Sequence, residues 1–201
     1  MEDDGISVQN IQGIAEKETK FSANWIVGTD SNGGAQTVQR DITDKYFITA
    51  DKTKWNDRYF CYLVKDDVTI DGDVTVGESV YLCLCDNATL TINGSVKINR
   101  SRGQLHIMGQ STGDNAGQMI VNNPDGNAFE CLDSTSGTTS GTADIFMYSG
   151  RLTATGKDRA LGENVYLYKA GSTNLTPILC EADGKKVRAT ASKTNPDEPH
   201  W

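Results

Sequence analysis

Residues 59–98 read YFCYLVKDDVTIDGDVTVGESVYLCLCDNATLTINGSVKI, and 59–76 returns 22 residues later as 81–98. Tyr59/Tyr81, Cys61/Cys83, Thr69/Thr91, Ile70/Ile92, Gly72/Gly94 and Val74/Val96 are identical in that register. Phe60/Leu82, Val68/Leu90, Asp71/Asn93 and Val76/Ile98 keep their chemistry. A fixed period without insertion marks one structural unit stacked on another. Each unit holds short alternating strands broken at glycine and shows no helical period. A repeat of this length made of such strands suits one coil of a parallel β-helix.

Working outward, Val68, Ile70, Val74, Val76, Val80, Leu82 and Leu84 alternate with polar or small residues. Leu90, Ile92, Val96, Ile98, Leu105 and Ile107 continue the pattern. These residues predict the apolar interior. Gly72, Gly77, Gly94 and Gly109 are placed at corners, where glycine permits positive φ. Later, 119–121, 145–156 and 165–168 read as further strands, with loops at 109–118 and 134–142. Residues 1–58 hold no copy of the repeat. Open sheet edges at the end of a stack need covering. The predicted fold is therefore all-β: a short, single-stranded parallel β-helix over 59–170 with residues 1–58 as N-terminal cap or linker. Right-handedness follows from the general preference of parallel crossovers. Residues 171–201 form a charged C-terminal flank, and the native protein is expected to continue beyond Trp201.

Composition excludes several functions. Among 201 residues, 27 are acidic and 19 basic, a formal net charge of −8. Binding to a nucleic-acid backbone needs clustered Lys and Arg, so no nucleic-acid partner is expected. No apolar run is long enough to span a membrane. The five cysteines, Cys61, Cys83, Cys85, Cys131 and Cys180, cannot all pair within one chain. Cys61 and Cys83 are expected to stack on neighbouring coils. With only His106 and His200 as histidines, no metal site is predicted and no cofactor is implied. Reduced thiols filling a strand ladder are the simpler reading.

Three stretches carry a resemblance: DVTIDGDVTVGESVYLCLCDNATLTING at 67–94, LHIMGQSTGDNAGQMIV at 105–121 and MYSGRLTATG at 147–156. Together they resemble the right-handed β-helix modules of large surface proteins of gut Firmicutes. The resemblance spans about half the chain, 67–156. It implies an extracellular or cell-surface location and, because similar proteins are loosely labelled carbohydrate-binding, a glycan or other host or cell-wall component as partner. The long glycine-glycine arrays usual in those modules are missing here.

For sugar binding, the candidate residues are Tyr59, Tyr81 and Tyr148, with Tyr168 as a further one. Tyr59 and Tyr81 are expected to align on successive coils as a stacking platform. Such a pair also stabilises a ladder with no ligand present. For catalysis, the fold hosts pectin-degrading enzymes, and Asp67, Asp71 and Asp73 with Arg100 and Arg102 are the only carboxylate and arginine set in view. Calcium prefers six to eight oxygens, so three carboxylates fall short of a site. Aspartate beside glycine is also an ordinary turn residue. His106 alternates with Leu105 and Ile107 and is expected to face solvent without a partner. The leading reading is a non-catalytic surface module that binds a glycan or another surface component, a neutral one before a polyanion. A pectin-type lyase or hydrolase and a structural spacer are the alternatives.

Overall fold

The structure is a computed structural model. It describes residues 12–17, 20–29, 35–42, 44–58, 60–110, 115–132, 141–169, 176–177 and 186–191. The chain divides into two units, Met1–Phe47 and Ile48–Trp201. In the first unit, strands β1 (Gln12–Lys17), β2 (Lys20–Thr29) and β3 (Ala35–Ile42) form an antiparallel sheet in that order. A single 3-10 turn follows at Asp44–Tyr46. The turn expected at 31–34 lies outside the described residues.

The second unit is the expected parallel β-helix. Its first coil comprises β4 (Lys54–Trp55), β5 (Cys61–Val64) and β6 (Val68–Asp71). The second comprises β7 (Val74–Val76), β8 (Val80–Leu84) and β9 (Thr89–Asn93). The third comprises β10 (Val96–Asn99), β11 (Gln104–Gly109) and β12 (Gln118–Asn123). The fourth comprises β13 (Phe129–Leu132), β14 (Ala143–Met147) and β15 (Gly150–Gly156). A fifth begins with a bridge from Leu161 to Phe129 and with β16 (Val165–Lys169). Strand i of each coil pairs in parallel with strand i of the next, giving sheets β13-β10-β7-β4, β16-β14-β11-β8-β5 and β15-β12-β9-β6. At the far edge the direction reverses: β17 (Thr176–Pro177) and β18 (Lys186–Ala191) pair antiparallel with β16 and β15. Among the described residues no helix is long and apolar enough to cross a membrane.

Alternation builds the interior. Ile70, Val74, Val76, Val80, Leu82, Leu84, Leu90, Ile92, Val96, Ile98, Leu105 and Ile107 are all fully buried. Val68 is half-buried. The largest interior side chains, Trp55, Tyr62 and Phe129, lie outside the apolar pattern read from the sequence. Trp55 pairs with Val76 and Tyr62 with Leu82, so two aromatics take small aliphatic positions in the first coil. Their ring centroids are 6.1 Å apart, and Phe60 packs on Tyr62 at 4.8 Å. Trp55 Nε1 donates to the Lys52 carbonyl at 2.9 Å and the Tyr62 hydroxyl donates to Asp57 at 3.0 Å.

The 22-residue period holds for β6 on β9 and β7 on β10. It does not hold for β5 on β8, where Cys61 pairs with Tyr81 and Leu63 with Cys83. Cys61 and Cys83 therefore do not stack directly, contrary to the expectation. The paired positions Val64 and Val68 correspond to Leu84 and Leu90, so the second coil spends two more residues between them, and Asn87 takes positive φ there (62°). Cys61 and Cys83 consequently align in the sequence but not in space.

Corners also differ from the single rule assigned to them. Gly72 has φ +121°, a conformation that side chains disfavour. Gly94 has no such φ; a Cβ there would lie 2.5 Å from Gly72 C and O. Glycine is thus required at one corner for its backbone angle and at the next for the close approach of two coils. Gly109 is no corner at all but the last residue of β11.

Candidate functional site

Alternate side chains of the β5–β16 sheet point away from the interior and stack in rows along the helix axis. One row runs Cys61, Tyr81, His106, Phe146, Tyr168. Coil spacing of about 4.8 Å brings consecutive rings into stacking range. Tyr81 and His106 centroids are 4.6 Å apart, His106 and Phe146 4.9 Å, and Phe146 and Tyr168 5.4 Å. Interplanar angles of 29°, 15° and 21° keep the rings near parallel. Tyr148 adds a ring 5.9 Å from His106, and Tyr166 one 6.2 Å from Tyr168.

His106 points outward as its alternation predicts, yet it is only 8% exposed. The expectation of a solvent-facing, unpartnered histidine is corrected. Tyr81 and Phe146 cover its two faces, and the Tyr148 hydroxyl lies 3.3 Å from Nδ1. Burial holds its pKa down at about 4, so the ring is neutral at pH 7. Burial likewise pushes the Tyr148 phenol upward. For Tyr168, burial leads and the neighbouring Asp144 adds to the rise.

Of the three tyrosines proposed for sugar binding, Tyr81 and Tyr148 share this face, and Tyr59 lies outside the described residues. Tyr81 is half-buried with one face against His106, and its partner on the preceding coil is Cys61, not Tyr59. Further along the same face, Leu63, Cys83 and Met108 are buried. Access opens toward the last coils, where Tyr166 is 42% exposed, the one exposed large hydrophobic among the described residues. Tyr166 was missed, although the alternation of VYLYK at 165–169 places Tyr166 and Tyr168 on the outer face.

Beside the rings lies a groove of about 850 Å³, at the corner between the β4–β13 and β5–β16 sheets. Each of four coils contributes: Arg58, then Glu78 and Ser79, then Arg100, Arg102 and Gln104, then Thr142 and Asp144. Gln104 pairs with Asp144, and Asp144 with Tyr166, so groove and rings belong to adjacent rows of one face. The Ser79 hydroxyl donates to the Arg102 carbonyl at 3.0 Å.

Asp67, Asp71 and Asp73 do not converge with Arg100 and Arg102. Each instead reaches the group 22 residues ahead on the next coil. Asp67 accepts from the Thr89 amide at 2.8 Å, Asp71 from Asn93 Nδ2 at 2.7 Å and Asp73 from the Ser95 amide at 2.8 Å. Asp73 also binds Lys97 Nζ at 2.7 Å, which holds its carboxyl below the usual range. These carboxylates clip coil to coil. Among the described residues no group of three or more His, Cys, Asp or Glu is placed to hold a metal ion. Cys61, Cys83 and Cys85 are free and buried, and Cys131 is free and half-buried. Burial raises all three buried thiols, Cys85 to about 11, which makes them poor nucleophiles. Cys180 lies outside the described residues. Compared with known proteins, the chain matches no family model, no curated protein and no solved structure.

Proposed function

We propose that this protein is a non-catalytic binding module displayed at a cell surface, with a glycan as its ligand. The observation that supports this reading is one outer face on which a strip of rings over successive coils adjoins a polar groove. Aromatic surface gives a sugar apolar contact, and neighbouring Gln104 and Asp144 offer a donor and acceptors to its hydroxyls. The stacked rings His106 and Phe146 have both faces occupied, so they act as a rigid wall. Tyr166 at the open end supplies accessible ring surface. The likeness to β-helix modules of surface proteins supports the extracellular placement. The engagement of Asp67, Asp71 and Asp73 between coils supports binding over carbohydrate cleavage.

A glycan array tests the reading. The wild type is expected to bind at least one oligosaccharide, and Tyr166→Ala is expected to weaken that binding about tenfold, the equivalent of about 1.4 kcal/mol, with an unchanged circular dichroism spectrum. An array without a hit would favour the spacer reading. Binding unaffected by Tyr166→Ala would remove this face from the account.

A further inference from the structure

The groove carries a charge opposite to the chain as a whole. The protein has a formal net charge of −8, yet the groove gathers Arg58, Arg100 and Arg102 against Glu78 and Asp144. From this we infer that the groove is a carboxylate subsite, and that the ligand of the face is a saccharide bearing isolated carboxylate groups, as a uronic acid does. The inference rests on the glycan-binding reading and narrows it.

Guanidinium groups recognise carboxylates through paired, charge-assisted hydrogen bonds. Arg102 is well suited to exchange partners. It contacts Glu78 at 3.4 Å while its own side chain is 72% exposed. An exposed pair of this kind contributes little to stability, so a ligand carboxylate competes with it readily. Arg100 packs closely against the neighbouring coil. Gly141 passes so close that a Cβ there would lie 2.5 Å from Arg100 Cγ. A side chain held in this way loses less freedom on binding.

Asp144 joins the arginines to the rings. Its Oδ1 is enclosed and makes no hydrogen bond among the described residues. An enclosed carboxylate oxygen is costly until a donor reaches it. A guanidinium drawn inward as the ligand binds supplies that donor. Arginines for a carboxylate, Asp144 and Gln104 for hydroxyls and Tyr166 for apolar contact together match one acidic sugar and its neighbours. The two carboxylates of the groove and the overall negative charge act against a densely charged chain. An isolated monoanion on a mostly neutral polymer avoids that repulsion.

The test uses the full chain and an oligosaccharide panel in which uronic-acid members are matched with their carboxyl-reduced neutral counterparts in gluco, galacto and manno configurations. Inorganic phosphate and heparin serve as the other anions. At least one acidic member is expected to bind tenfold or more tightly than its neutral match. That ratio should fall toward one in Arg102→Gln, whose exposed side chain leaves folding unaffected, and in Arg100→Gln. Equal binding of matched pairs would overturn the carboxylate subsite and leave the glycan reading standing. Preference for phosphate or heparin would overturn it in favour of a general anion site. Binding of no saccharide at all would overturn both readings.

Discussion

Two glycines at successive coil corners carry different physical demands. At Gly72 the constraint is φ, +121°, with nothing within 4 Å of a Cβ. At Gly94 it is space, because a Cβ would overlap the backbone of Gly72 and Asp73. Backbone cannot swing aside as a flexible side chain can. Gly94→Val should therefore separate the first and second coils locally and destabilise the fold by about 1–3 kcal/mol, read as a lower urea midpoint. A midpoint unchanged from wild type would contradict the close approach. His106 sets a different condition. Its folded-state pKa of about 4 lies below the unfolded value of 6.5, so the unfolded chain binds more protons between those limits. Stability should be full above about pH 6.5 and fall as pH drops toward 4, by up to about 3 kcal/mol. His106→Phe should flatten this part of the stability–pH curve. An equal slope in both proteins would show that the ring is not buried as described.

Strand by strand, legibility followed the strength of the period. Strands β6, β7, β9 and β10 were readable because alternation and glycine spacing coincide there, and their 22-residue register is the spatial one. Strand β4 was not, since two residues, Lys54–Trp55, cannot display a period. The β5–β8 register was misread because identity between Tyr59/Tyr81 and Cys61/Cys83 says nothing of a turn length that differs between coils. Into the third and fourth coils the offset changes from sheet to sheet, Val80 pairing with Leu105, Thr89 with Gln118, Val96 with Phe129 and Gln104 with Asp144, so longer loops hide the repeat while the strands still stack. Of the site, Tyr81, Tyr148 and Tyr168 were legible only as candidate rings, Tyr81 through the repeat. Burial of His106 and convergence of four corners on one groove depend on long-range register, which no local pattern contains. The aromatic pair in the first coil gives this scale its own prediction. Trp55 is fully buried against Tyr62, so Trp55→Ala should cost about 3–5 kcal/mol. Thermal unfolding within a degree or two of wild type would refute that packing.

Across the whole molecule, a parallel β-helix turns repetition along the chain into rows along an axis. Interior rows are apolar, corner rows are Asp and Asn clips, and one outer row is aromatic. The same stacking that buries His106 makes a rigid wall, and the same corner repeated over four coils makes the groove. The proposed function thereby falls on a face, with Tyr166 near its far end the exposed ring. Hydrogen–deuterium exchange with and without the tightest oligosaccharide from the array tests this most directly. Ligand-dependent protection is expected in segments 100–104, 141–148 and 165–168, at the groove and the open end of the ring strip. Protection confined to 89–93, 118–123 and 150–156, on the β6–β15 sheet, would contradict the assignment.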